Sequence, residues 1–267
     1  MRRDYIAGIY NTCDYWCDRC AFTRRCRNYH MGEELEQCER RKPASDEENQ
    51  ARWDSVDAVL SEARTRLDDL AAERFDDLLS SAEEDDAPEA FEQFRAEQDA
   101  RDKVVRSHFV VKAAAAYMQA VSEWLKSAAP EVKEVADRLV AQARFTAEAA
   151  DARAELERLE DDVDIVVWYH TLLPPKANRM ISGLLELPEQ AAWNDGSDVY
   201  GTGKLMLVSI DRSLAAWTQL LTYLPSQEDV IMGFLIRLDH LRRGIERAVP
   251  QARAFIRPGL DEFASPE

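Results

Sequence analysis

The sequence predicts an all-α protein, a bundle of about six helices with a small cysteine-rich metal-binding module at its N-terminal end. Three observations predict it. No glycine occurs between Gly32 and Gly183, a gap that helices tolerate and that a sheet protein, needing turn glycines, does not. Apolar residues recur at steps of three and four, and no run alternates with period two for long enough to make a strand. All five cysteines fall within the first 38 residues. The expected division is a cysteine-rich module over residues 1–42 and an acidic helical bundle over 43–267.

Prolines and caps place the helices in order. Ser45-Asp46-Glu47-Glu48 reads as a capping box that opens a helix running to about Ser80. Glu83–Asp86 and Pro88 make a linker, and a second helix runs from Pro88 to Ala128. Its predicted buried stripe is Val104, His108, Val111, Ala115, Met118, Ser122 and Leu125. Pro130 suits a first helical position and starts a third helix, with Val132, Val135, Leu139, Ala143, Ala147, Ala150 and Ala154 inward. The acidic run Glu155–Asp164 marks its end or a bend. A fourth helix carries Val163, Val166, Val167, His170 and Leu173 and is kinked or interrupted at Pro174-Pro175. Residues 186–203 read as the longest loop. A fifth helix holds Leu207, Ile210, Leu214, Trp217, Leu221 and Leu224, and Pro225-Ser226 opens a sixth with Ile231, Leu235, Leu238, Leu241 and Ile245.

Charge and hydropathy bound the function. The net charge of −17 repels phosphate, which argues against binding nucleic acid or an anionic membrane over the whole surface. Residues 1–30 differ: six arginines face three acids. No run of 18 apolar residues is present, and the N-terminal residues lack the apolar core of a signal peptide, so a cytoplasmic protein is expected. Thiols stay reduced there, and clustered cysteines then point to metal or redox chemistry.

Cys13, Cys17, Cys20 and Cys26 read C-x3-C-x2-C-x5-C and can converge on one centre through two tight loops. The run Cys17-x2-Cys20-x5-Cys26 resembles the [4Fe–4S] cluster loops of helical DNA-repair glycosylases and of CRISPR-associated and recombination nucleases. That resemblance covers Cys13–Cys26 only and implies a [4Fe–4S] cluster held by Cys17, Cys20 and Cys26 with Cys13 as fourth ligand. The gap before Cys17 is shorter here than in the glycosylases. Tyr10, Tyr15, Trp16 and Phe22 are placed to shield such a cluster from water. The spacing Cys13-x3-Cys17-x2-Cys20 also matches radical S-adenosylmethionine enzymes, but Arg19 stands where they carry an aromatic residue and no strand–helix alternation follows. The zinc alternative takes four cysteines, or Cys13, Cys20, Cys26 and His30 in the pattern of a CCCH finger. Cys38 is a spare ligand. A redox pair built on Cys17-Asp18-Arg19-Cys20 lacks its βαβ context.

Four further residues, His108, His170, Lys176 and Lys204, make a candidate ligand pocket. The two histidines line it if their helices are neighbours; otherwise they are core histidines bonded to backbone or acids. Trp168-Tyr169-His170 with Lys176, Arg179, Lys204 and Asp211-Arg212 bring polar groups into apolar helices. They hold an anion, pair within the bundle, or seat the N-terminal module. Tyr200-Gly201-Thr202-Gly203-Lys204 is not a phosphate loop: position 198 is Asp, position 205 is Leu and no strand precedes. Glu-x-x-His pairs for a di-iron site are missing around His108, His170 and His240. The functional expectation is an iron–sulfur protein of redox or sensing type; the alternative is a zinc-stabilised adaptor for a protein partner, with RNA a weaker candidate.

Overall fold

The computed structural model describes residues 4–39, 50, 54, 57–66, 87–145, 149–190 and 196–261. The fold is all-α, with no strand among these residues. Three 3-10 turns, Ile9–Asn11, Cys17–Arg19 and Thr23–Arg25, precede the helices. The helices are α1 (Arg27–Glu39), α2 (Ala87–Ser107), α3 (Phe109–Phe145), α4 (Ala149–Gln190), α5 (Ser197–Tyr223) and α6 (Glu228–Ala248). Residues 57–66 are helical as well; the capping box at Ser45, the helix end near Ser80 and the linker at Glu83–Asp86 lie outside the described residues.

The chain forms two compact units, Met1–Cys26 with Arg101–Glu267, and Arg27–Ala100. The second unit holds α1 and residues 57–66, where Met31, Leu35, Val59 and Leu60 are exposed. The first unit contains the core. There α4 packs against α3 and α5, and α6 packs against α5 and α3. Trp124, Trp217 and Phe234 meet at its centre, with Trp124 edge-on to Trp217 at 4.8 Å between centroids. Trp217 Nε1 donates to the Tyr117 hydroxyl at 2.8 Å, which satisfies two polar atoms that burial would otherwise strand.

Helix boundaries depart from expectation in four places. The break predicted at Pro130 falls instead at His108, whose Nδ1 accepts the backbone N–H of Val110 at 3.2 Å and so caps α3. Pro130 sits on an exposed position inside α3, where water can replace its missing donor. Val111, Val135 and Leu139 are buried in α3 as predicted, but between them the inward stripe is Ala114, Tyr117, Val121, Trp124 and Ala128, one position away from the predicted Ala115, Met118, Ser122 and Leu125, because Tyr117 and Trp124 have the most surface to bury. The acidic run Glu155–Asp164 does not end a helix, since it lies inside α4, and Ala150 is exposed rather than inward; residues 146–148 lie outside the described residues. Helix α4 then runs through Pro174-Pro175, with Asn178 Nδ2 donating to the Pro174 carbonyl.

The predicted loop over 186–203 is helical at both ends, since α4 reaches Gln190 and α5 starts at Ser197. Gly201 and Gly203 are therefore buried helix residues. A Cβ on Gly201 would stand 2.4 Å from Thr12 Cγ2, and one on Gly203 2.8 Å from Ala252 Cβ. Helix propensity is given up here so that other segments can approach the α5 backbone.

Candidate metal centre

The approach at Gly201 brings the cysteine segment onto the bundle. Gly8 enters the first 3-10 turn at φ 71, and Ile9 and Thr12 are buried. Asp14 Oδ1 then accepts the backbone N–H of Trp16 at 3.2 Å. This side-chain turn holds Tyr15 at φ 59, a left-handed conformation uncommon for a non-glycine residue. Two tighter turns follow, closed by Cys20 N–H to the Cys17 carbonyl at 3.2 Å and Cys26 N–H to the Thr23 carbonyl at 3.1 Å.

One turn aims a backbone donor at sulfur: Phe22 N–H donates to Cys20 Sγ at 3.4 Å, two residues beyond the cysteine, which favours the thiolate. The Cys13 thiol instead donates to the Tyr10 carbonyl at 3.6 Å. Cys13 feels Cys17 and Cys26, and Cys17 feels Cys20 and Cys26, so the four sulfurs share one electrostatic neighbourhood. Burial first, and the neighbouring anions second, push Cys13 up to about 11, and the same causes raise Cys17. Among the described residues no three His, Cys, Asp or Glu side chains stand close enough to hold a metal ion as they are. Thiol donors and the N–H···S bond at Cys20 suit a soft metal centre, but the four thiols as placed do not converge on one.

Asp14 locks this segment to α4 and α5. Its carbonyl accepts Trp168 Nε1 at 2.9 Å, and its Oδ2 accepts the Tyr169 hydroxyl at 2.8 Å and Arg212 Nη1 at 3.1 Å. Arg212 Nη1 also donates to the Tyr169 oxygen at 2.5 Å. Burial, then Asp14, push Tyr169 up to about 12, so it stays a hydroxyl donor. Beside the lock, Trp16 stacks on Trp168 at 5.1 Å and 15°, and Arg19 covers the Trp16 ring at 4.2 Å while pairing with Asp161 and Asp164. Between segment and helices lies a cavity of about 460 Å³ lined by Cys13, Cys20, Trp16, Phe22, Tyr169, Arg212 and Arg257 among others. Its size falls in the range of small-ligand sites.

The other predicted residues are placed apart from one another. His108 caps α3. His170 is buried and its Nδ1, which must carry the proton, faces the carbonyls of Val166 and Val167. Lys204 Nζ donates to the Arg253 carbonyl at 2.8 Å, and Asp211 pairs with Arg253. Arg179 pairs with Asp198. Lys176 reaches the cysteine segment, with Nζ 4.6 Å from the centroid of the Tyr15 ring. His30 lies on α1 in the other unit beside Glu33 and Tyr29, and the side chain of Cys38 is outside the described residues. The strip Trp168-Tyr169 with Arg212 thus serves as a seat for the cysteine segment. Its counterpart, Asp14, was not singled out by sequence; its position inside the cysteine run was the available signal.

No protein family, curated protein or solved structure matches this chain.

Proposed function

We propose that Cys13, Cys17, Cys20 and Cys26 bind an iron–sulfur cluster, of the [4Fe–4S] type that the spacing resembles, and that the helical unit is its rigid seat. The observation that carries this reading is the backbone N–H···S bond at Cys20, a thiol that lines one cavity together with Cys13. Donors of this kind stabilise thiolate and tune a bound cluster. When bound, such a cluster supplies one-electron exchange. The chain's own residues exclude water from one side through Trp16, Phe22 and Tyr169, and hold the cysteine turns in place through Asp14 and Arg212.

Protein purified without oxygen should be brown, with a broad visible band that bleaches on reduction and with iron and sulfide in equal amounts. Cys17→Ser, Cys20→Ser and Cys26→Ser should remove the colour, and Cys38→Ser should leave most of it. Colourless protein with one zinc per chain and no sulfide would reject the cluster in favour of a zinc-stabilised adaptor. His30→Ala then decides between three cysteines with His30 and the four cysteines.

A further inference from the structure

The cavity beside Asp14 has a wall that the cysteine run does not supply. Of the four clustered cysteines only Cys13 and Cys20 line it; Ile165 comes from α4, Arg212 from α5, and Arg257 and Leu260 from the segment after α6. Arg19 completes a set of three arginines, brought by three separate segments to one space of about 460 Å³. Asp14 is the one acid in the lining. On a chain of net charge −17 such a lining runs against the general charge and gives the cavity a local attraction for anions.

Each guanidinium is only partly engaged. Arg212 uses Nη1 for Asp14 and Tyr169, and its Nε and Nη2 have no partner among the described residues. Arg257 gives Nε and Nη2 to Asp261, which leaves Nη1 without an acceptor among the described residues. The Arg257 side chain is only 11% exposed, and a donor on so buried a group ordinarily finds an acceptor. Its Nη1 is nevertheless not sealed from solvent. Arg19 lies over the Trp16 ring and pairs with Asp161 and Asp164, two exposed acids that offset it weakly. Phe22, Ile165 and Leu260 add an apolar wall. Apolar walls with a few fixed polar groups are the composition of a small-molecule site.

We propose that this cavity binds a small organic carboxylate, one negative charge on an apolar body. Arg257 and Arg212 hold the carboxylate, and Phe22, Ile165 and Leu260 cover the body. Guanidinium N–H groups suit a planar carboxylate, and a charged acceptor strengthens each bond. Asp14 in the lining opposes a second negative charge on the ligand. An anion without an apolar body, such as inorganic phosphate, gains nothing from the apolar wall. The site needs neither a metal nor the thiols, so it stands apart from the cluster reading.

The experiment is isothermal titration calorimetry on the full chain as purified, with iron and sulfide assayed first so that the cluster is judged separately. The probes are phenylacetate, hexanoate, the neutral phenylacetamide, and inorganic phosphate. Both carboxylates should bind roughly tenfold more tightly than phenylacetamide or phosphate. Arg257→Gln should weaken phenylacetate by roughly tenfold, and Arg257→Lys should recover part of the loss. If Arg257→Gln does not fold by circular dichroism, Leu260→Trp carries the comparison: it keeps every charge, fills the space and should abolish binding. Carboxylates that do not bind at concentrations up to about 10 mM overturn the proposal. So does phenylacetamide or phosphate binding as tightly as phenylacetate, or folded Arg257→Gln or Leu260→Trp binding it like wild type.

Discussion

Asp14 accepts from Tyr169, Arg212, and its own Trp16 N–H, and it sits inside the cysteine run. Asp14→Ala should strand the Tyr169 hydroxyl and free the turn at Tyr15. The expected loss is about 2 kcal/mol, since the bonds are to a charged acceptor, read by urea unfolding. Alkylation of Cys13 and Cys20 by iodoacetamide should also become faster, while Asp14→Asn keeps part of the protection. A second prediction concerns Asp162, which burial first and Asp161 second push up to about 6 from an ordinary 3.8. A carboxyl with a raised folded value is stabilised as the acid. Its penalty is absent below about pH 4, grows as pH rises, and is complete above about pH 6. Asp162→Asn should therefore raise Tm at pH 7.5 and leave it unchanged at pH 4. Both residues were visible in the sequence only as acids, because a carboxylate's partners are set by what folds against it.

At the scale of elements, α5 shows how a helix accommodates its neighbours. Gly201→Ala favours the helix by up to about 1 kcal/mol, yet its methyl would collide with Thr12 at 2.4 Å. Circular dichroism should stay helical while the thiols become more reactive, separating docking from helix formation. In the core, Tyr117→Phe leaves Trp217 Nε1 buried without its acceptor. A loss of about 1–3 kcal/mol in thermal or urea unfolding is expected. Stripes on α5 and α6 were legible: Leu207, Ile210, Trp217 and Leu224, and then Ile231, Leu238, Leu241 and Ile245, are buried as their spacing predicts. The α3 stripe was legible at Val111, Val135 and Leu139 but slipped by one position between them, because its alanine-rich turn offers several apolar faces and only the partner helices choose among them. Likewise Pro130 read as a helix start and Pro174-Pro175 as a kink or interruption, although proline ends a helix only where the lost backbone bond cannot be replaced.

For the whole molecule, a net charge of −17 sets up self-repulsion that salt screens. Tm should rise as sodium chloride goes from about 10 mM to about 300 mM, despite weakening of the exposed Arg19 pairs with Asp161 and Asp164. A fall would mean that those pairs outweigh the general repulsion. No described helix is long and apolar enough to cross a membrane. The all-α class was determined by local rules: the absence of glycine over 150 consecutive residues and the three-and-four spacing act within a few turns of chain. The same holds for the cysteine run, whose members lie within 14 residues. What only the tertiary structure decided is where that run goes. Asp14 and Arg212 are 198 residues apart, Asp14 and Tyr169 155, and nothing in local spacing links them. It also gave His108, His170 and Lys204 backbone partners of their own and set Lys176 over the Tyr15 ring. Periodicity tells which side of a helix is apolar, but which polar group meets which depends on how helices align across the core, and that alignment is set by packing.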